Sequence, residues 1–435
     1  MSSSPNQKPQ SPITITPLPP NPPPSHPTTT PPSHHVTSPP TSFKNPWPSY
    51  AHHTSPLEAL KTRWFNSANK NSVPIPTDPS ELVRVRNPPD FLNSKVSNPT
   101  LSGDATKNEP SITATWLGHA SFLIQARGGS HSTEEFNILL DPVFSERVGP
   151  YGLVGPVRFT KPPCEVADLP HIDSVLISHD HYDHLDSPTL SQLHKQQNGH
   201  IRFFCALGVK NVLVNLGIGI VSDQVTELDW WDGVRISRLK ATEKEEQKDE
   251  TDLSIDLICT PSQHRSGRTP WSFESTLWCS WVLKASYSHS TTSKSKSIFF
   301  AGDTGYRSVP SSTSTSTSTS PPPPCPAFSE IGTIHGPFTL SLLPIGCYSP
   351  RAFMSAVHAS PADSIAIHRD VKSEKSIGMH YGTFRGSISA HYEPVTEPVV
   401  LWREEAEREG LGWRGDGDSG EWEVGVCDIG EGVVV

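Results

Sequence analysis

Apolar residues along this chain gather in short runs, and each run stops at a polar cluster. Residues 113–124 alternate apolar and polar positions about Gly118-His119, which predicts two strands joined by a turn. Residues 136–140 predict a further strand ending at Asp141-Pro142, and residues 172–177 a buried one. The pattern over 203–221 reads as a strand plus a short helix. Three more apolar strands, 254–260, 297–301 and 376–379, follow toward the C-terminus. Helical pieces lie between them, one with Ser187 as its cap, Pro188 at its first position and Leu190 and Leu193 on one face. Short strands interleaved with helices predict mixed sheets covered by helices, an α/β layer architecture.

The polar cluster after residues 172–177 stands out. Ser178-His179-Asp180-His181-Tyr182-Asp183-His184 offers imidazole nitrogens and carboxylate oxygens, the donors that zinc and its divalent neighbours prefer. It lies between the strand and the helix that starts at Ser187. In an extended segment His179 and His181 point the same way, and a tight turn swings Asp183 and His184 elsewhere. The two pairs can therefore serve two ions.

Composition narrows the picture. The chain has 435 residues, 34% of them hydrophobic, and 45 prolines, which fits one large domain plus chain that does not fold. Residues 1–42 are Pro, Ser, Thr and His in low-complexity order and are expected to be disordered, with His26, His34 and His35 as solvated tail residues. Residues 43–111 read as an arm packed on the core, with a helix over 56–66 carrying Leu57, Leu60, Trp64 and Phe65. Trp and Phe beside Lys61 and Arg63 also suit a membrane interface. Residues 112–435 form the domain, with low-complexity inserts near 243–252 and 308–324.

Net charge is −10 with no basic block, which disfavours nucleic acid as a partner. The seven cysteines have no CxxC pair and no secretory signal ahead of them, so they read as reduced thiols in an intracellular, not a secreted, protein. No apolar stretch reaches the ~18 residues needed to cross a bilayer. The N-terminal stretch lacks acidic residues before Glu58, like a transit peptide, yet lacks Arg before Arg63, so mitochondrial targeting stays open.

Two ions need more donors than one loop holds. The strands ending near 260, 301 and 379 lead to His264, Asp303 and His380, and ligand sites gather at the carboxyl ends of strands. Asp303 is the natural bridge, since one carboxylate can serve two ions about 3.5 to 4 Å apart.

His-x-His-x-Asp-His is the signature loop of the metallo-β-lactamase superfamily, and further strings sharpen the resemblance. Asn45-Pro46-Trp47-Pro48, Thr115-Trp116-Leu117-Gly118-His119-Ala120, Glu227-Leu228-Asp229-Trp230-Trp231, Pro261-Ser262-Gln263-His264, Phe300-Ala301-Gly302-Asp303-Thr304-Gly305-Tyr306, Gly336-Pro337-Phe338 and Pro344-Ile345-Gly346 are similar to the N-acylphosphatidylethanolamine-hydrolysing phospholipase D family. The similarity runs from about residue 43 to the C-terminus. The residues flanking His358 and the segment Arg265-Ser266-Gly267-Arg268 depart from the family pattern.

The resemblance implies an αββα sandwich, two mixed sheets with helices on their outer faces, and two zinc ions per chain. It implies His179, His181 and His264 on one zinc, Asp183, His184 and His380 on the other, Asp303 across both, and His358 near the scissile group. The implied reaction is hydrolysis of N-acylphosphatidylethanolamine to an N-acylethanolamine and phosphatidic acid by a metal-bound hydroxide. Asp183 could also orient the nucleophile, and His358 could protonate or polarise the departing oxygen. Asp141 and His119 read as partners that fix the ligand imidazoles.

The implied setting is transient contact with the surface of a membrane holding the phospholipid substrate, in the cytoplasm or peripheral on an organelle. A homodimer is compatible with it. Two other readings stand: a hydrolase of this fold acting on RNA or a lactone, and a non-catalytic binding protein on the same fold.

Overall fold

The structure, a computed structural model, describes residues 12–23, 32–51, 72–93, 110–128, 135–238, 252–269, 271–289, 292–310, 322–386, 388–414 and 421–435. Sixteen strands occur among them. In chain order they are β1 (Ile13–Pro17), β2 (Ser111–Gly118), β3 (Ser121–Arg127), β4 (Glu135–Leu140), β5 (Ser174–Ile177), β6 (Arg202–Ala206), β7 (Val225–Leu228) and β8 (Gly233–Arg238). Then follow β9 (Asp252–Thr260), β10 (Ser280–His289), β11 (Thr292–Phe300), β12 (Leu340–Pro344), β13 (Ser376–Met379), β14 (Trp413–Arg414), β15 (Val424–Gly425) and β16 (Gly432–Val434). The helices are α1 (Ser187–Gln196), α2 (Val209–Val214), α3 (Ala327–Ile334), α4 (Arg351–Met354), α5 (Pro361–Asp370) and α6 (Glu397–Arg408).

The strands form a nine-stranded sheet, β1-β8-β9-β10-β11-β12-β13-β15-β14, and a seven-stranded sheet, β16-β2-β3-β4-β5-β6-β7. Both are mixed. In the first, β8 to β11 pair antiparallel and β11, β12, β13 and β15 parallel; in the second, β2 to β4 pair antiparallel and β4 to β7 parallel.

Strand composition follows from burial on both faces. On β3, Phe122, Ile124 and Ala126 join the core that also holds Trp281, Leu283, Phe300 and Leu342 of the opposite sheet. Leu123, between them, belongs to a second core with Leu190 and Leu193 of α1 and Val209 and Leu213 of α2. A strand covered on both sides cannot alternate apolar with polar, which is why these segments read as near-continuous apolar runs. Phe328 and Ile331 of α3, Ile365 and Ile367 of α5 and Trp402 of α6 cover the nine-stranded sheet. The αββα sandwich is thus present.

The expected disorder of residues 1–42 fails where the chain is described. Ile13–Pro17 pairs antiparallel with β8, from Ile13 opposite Arg238 to Pro17 opposite Val234, and Ile13, Ile15 and Leu18 pack on the core. The β-branched alternation Ile-Thr-Ile-Thr outweighs the surrounding proline because β8 offers it an open sheet edge. His34 and His35 are likewise not solvated, since both side chains are nine-tenths buried or more against Asp229. At α1 the cap position falls one residue earlier than expected, on Asp186, whose carboxylate accepts from Thr189 Oγ1.

The described part of the arm docks on the C-terminal segment: Val85 bridges Ile429, and the Asp90 N–H donates to the Gly430 carbonyl. The helix expected over 56–66 lies outside the described residues. So do 243–251 and 311–321 of the two inserts. Among the described residues no helix is long and apolar enough to cross a membrane, and the seven cysteines are free thiols.

Candidate metal centre

Parallel pairing in each sheet sends several strand ends to one edge. β4 ends at Asp141 and β5 at the loop 178–184, in register through Leu140 opposite Leu176. β11 ends before Asp303 and β13 before His380, joined through β12. β9 delivers His264, and the β2–β3 turn delivers His119. Inside the loop 178–184, the backbone N–H groups of His184 and Leu185 both donate to the His181 carbonyl. That turn brings His184 back beside the first histidine pair, with the His179 and His184 ring centroids 4.2 Å apart.

The seven residues meet. His179, His181 and His264 place ligand atoms within 4.8 Å of one another, and so do Asp183, His184, His380 and His119. Asp303 stands between the groups. Its Oδ1 lies 2.9 Å from His380 Nε2, and its Oδ2 lies 3.2 Å from His184 Nε2, 3.7 Å from His264 Nε2 and 4.0 Å from His179 Nε2. His184 Nε2, His380 Nε2 and Asp303 Oδ1 are buried without a hydrogen bond, although they lie this close. Groups aimed at a common point rather than at each other are what cation ligands look like when described without the cation.

Residues 136–381 match the family described as a β-lactamase superfamily domain. N-acyl-phosphatidylethanolamine-hydrolyzing phospholipase D 1 of Caenorhabditis elegans is 32% identical over 305 residues, 70% of this chain and 73% of the worm protein. The chain belongs to the metallo-β-lactamase superfamily, in the N-acylphosphatidylethanolamine phospholipase D family. An uncharacterized protein of Mycobacterium tuberculosis is 32% identical over 337 residues, 77% of this chain and 68% of its own length. The mitochondrial N-acyl-phosphatidylethanolamine-hydrolyzing phospholipase D of Saccharomyces cerevisiae is 26% identical over 382 residues, 82% and 71% of the two chains.

The metallo-β-lactamase fold implies metal ions, and the side chains behind this centre fit that role. Asp141 Oδ1 accepts from the Ser178 N–H and Asp141 Oδ2 from Ser178 Oγ, while His184 Nδ1 lies 2.8 Å from the same Oδ2. His264 Nδ1 donates to the Val357 carbonyl at 2.9 Å, which turns Nε2 toward Asp303. His119 differs from expectation: its Nε2 lies 3.1 Å from the Asp183 carboxylate rather than from an imidazole. Its backbone does contact an imidazole residue of the centre, since the His380 N–H donates to the His119 carbonyl.

Electrostatics agree with an acceptor of cations. Burial works against the His184 imidazolium, yet Asp303, Asp183 and Asp141 together hold its pKa well above the ordinary histidine value. Burial also opposes ionisation of Asp303, but His184 and His380 hold its pKa well below the usual carboxylate range. The pocket concentrates negative charge that a metal would neutralise. Backbone strain marks the same place, for His119, Asp141 and His380 have φ of 53°, 38° and 62° without being glycine. Gly302 is required beside them: a Cβ there would stand 2.8 Å from Ser178 Cβ, where the loops of the two sheets touch.

His358 reaches the centre, with Nδ1 buried, unpartnered and 4.0 Å from Asp303 Oδ2. Burial first, with His380 and His181 adding to it, pushes its pKa down to about 3 against the pull of Asp303.

Sequence reading missed the residues that hold the loop. The Gly267 N–H donates to Asp180 Oδ1 at 2.7 Å, and Arg268 Nη1 donates to the Asp180 and Leu185 carbonyls at 2.8 and 2.9 Å. Arg268 also covers the Tyr182 ring at 3.8 Å. The segment that departs from the family pattern therefore braces the signature loop. Asn45 Nδ2 adds a bond to the His264 carbonyl at 2.7 Å from the far N-terminal side. Beside His380 a pocket opens, lined by Phe159, Tyr381, Phe384, Arg385 and Glu393.

Proposed function

We propose that this metal-dependent hydrolase is a zinc phosphodiesterase that cleaves N-acylphosphatidylethanolamine to an N-acylethanolamine and phosphatidic acid. The observation that carries the reading is the position of Asp303 between two groups of imidazoles, which supports two ions sharing one carboxylate. His179, His181 and His264 would hold one ion, and Asp183, His184 and His380 the other. Zinc bound there would supply Lewis acidity, making water reactive near neutral pH and neutralising phosphoryl charge.

The chain's own residues do the rest. Asp183, held by His119 on one oxygen, could orient water toward phosphorus as well as bind. Attack by water oxygen forms a P–O bond, and the bond from phosphorus to the ethanolamine oxygen breaks. His358 Nδ1 is unspent, so the ring could hydrogen-bond the attacking water and pass its proton on to the departing oxygen. Arg385 in the adjoining pocket offers a cation to the phosphate, and Phe159 and Phe384 offer apolar walls.

Contact with a lipid surface is supported by two loops that leave the metal edge. Tyr151 is 96% exposed, Leu153 77% and Val154 66% in one, and Trp271 is 92% exposed in the other. Arg158 ends the first loop against Phe384, and Arg268 begins the second against Tyr182, so both flank the centre. The yeast relative is named as mitochondrial, which supports an organelle membrane as the site of action.

The test is the purified chain with zinc and N-acylphosphatidylethanolamine in vesicles. Release of N-acylethanolamine and phosphatidic acid is expected. Intact substrate, with cleavage of a structured RNA or a lactone instead, overturns the lipid assignment. A chain that holds no metal overturns the enzymatic one.

A further inference from the structure

One other place among the described residues brings three metal-capable side chains together without sharing any residue with the centre above: His34, His35 and Asp229. His34 Nε2 lies 2.7 Å from Asp229 Oδ1, and His35 Nε2 lies 2.8 Å from Asp229 Oδ2. The side chains of His34 and His35 are 3% and 9% exposed. His35 Nε2 is buried and, although only 2.8 Å from Asp229 Oδ2, makes no well-formed hydrogen bond. This is the signature seen between His380 and Asp303.

The rings are held in place by aromatic neighbours. His34 stacks on Trp230 with centroids 4.2 Å apart, Trp230 stacks on Trp47 at 5.3 Å, and His35 meets Phe43 edge-on at 5.7 Å. Two adjacent imidazoles thus turn their Nε2 atoms to the two oxygens of one carboxylate.

We propose that His34, His35 and Asp229 form a structural site for a divalent transition ion of the zinc class, separate from the hydrolytic centre. Two imidazole nitrogens and a carboxylate are a zinc donor set, with a coordination position left for water. The ion would clip residues 32–51 to the domain across a separation of 195 residues between His34 and Asp229. That segment carries Asn45, which bonds the His264 carbonyl, and Ser49, whose Oγ bonds Gln263 Oε1 at 2.5 Å. The clip would therefore steady one strand end of the hydrolytic centre from a distance. It does not depend on which substrate that centre cleaves.

The full chain, purified without added chelator, is compared with His34→Gln/His35→Gln by elemental analysis. The expected difference is one ion per chain. The same difference is expected in an Asp303→Ala/His184→Ala background, where the hydrolytic centre is impaired. Equal metal content in folded wild type and variant, with a hydrogen-bonded clasp remaining, overturns the proposal. If the histidine variant fails to fold, anomalous diffraction at the zinc edge on the wild-type chain decides instead. A peak between His34, His35 and Asp229 is expected, and zinc peaks confined to the Asp303 centre overturn it.

Discussion

Asp141 and His184 meet at 2.8 Å between Oδ2 and Nδ1, and the opposite nitrogen of the same ring lies 3.2 Å from Asp303. One carboxylate thus orients an imidazole toward another. Asp141→Asn should leave the fold intact and weaken metal binding or turnover by about 10–100-fold. Zinc titration with a fluorescent competitor, beside kcat/KM, checks this. Unchanged affinity and unchanged kcat/KM would show that the contact is packing alone.

Metal removal should abolish hydrolysis and lower Tm, because half-buried Asp183 and buried Asp303 then share the pocket without the ions that would bind them in the folded chain alone. Returning zinc should restore both. Thermal unfolding with and without chelator is the measurement, and an apo chain as stable and active as the holo chain is the contrary result.

His358→Gln should lower kcat by about 10²–10⁴-fold while the metal content stays at the wild-type value, because the two groups proposed to hold the ions are complete without it. Its effect on kcat should vary with pH. A loss of metal in this variant would instead make His358 a ligand.

Leu153→Asp/Val154→Asp changes exposed side chains on a loop tip, so stability should move by no more than about 0.5 kcal/mol. Turnover of substrate in vesicles should fall, and turnover of the same substrate in detergent micelles should not. Equal loss in both would remove these tips from any membrane contact.

Burial raises the Glu393 pKa from 4.5 to about 7, against backbone N–H groups of Cys347, Ser349 and Tyr348, with Glu397 adding to the rise. Arg385 lies nearby as a cation. The folded chain keeps the proton where the unfolded chain has lost it, so this contribution is full below about pH 4.5 and is lost as pH rises through about 7. The shift corresponds to about 3 kcal/mol as an order of magnitude. Denaturant unfolding between pH 4.5 and 8 should show stability falling with pH, and Glu393→Gln should flatten that slope. An unaltered slope in the variant would assign it elsewhere.

Much of the centre was legible because ligands are chemically distinctive and sit at strand ends. The spacing of His179, His181, Asp183 and His184, and the apolar runs before His264, Asp303 and His380, announced both the donors and the edge they share. The tail misled for the opposite reason: proline and serine dominate its composition, and four alternating residues, Ile13 to Thr16, decide its structure once β8 is beside them. A local pattern that short has no meaning until an edge exists to receive it.

The sequence by itself determined the fold class and the residues able to bind cations, since periodicity and donor chemistry are local properties of the chain. Tertiary structure alone decided that Arg268 braces Asp180, that Val357 turns His264, and that His34 and His35 close on Asp229. Each joins parts of the chain tens to hundreds of residues apart. Such contacts depend on how two sheets pack, and packing is settled by the sum of buried surfaces rather than by any one segment.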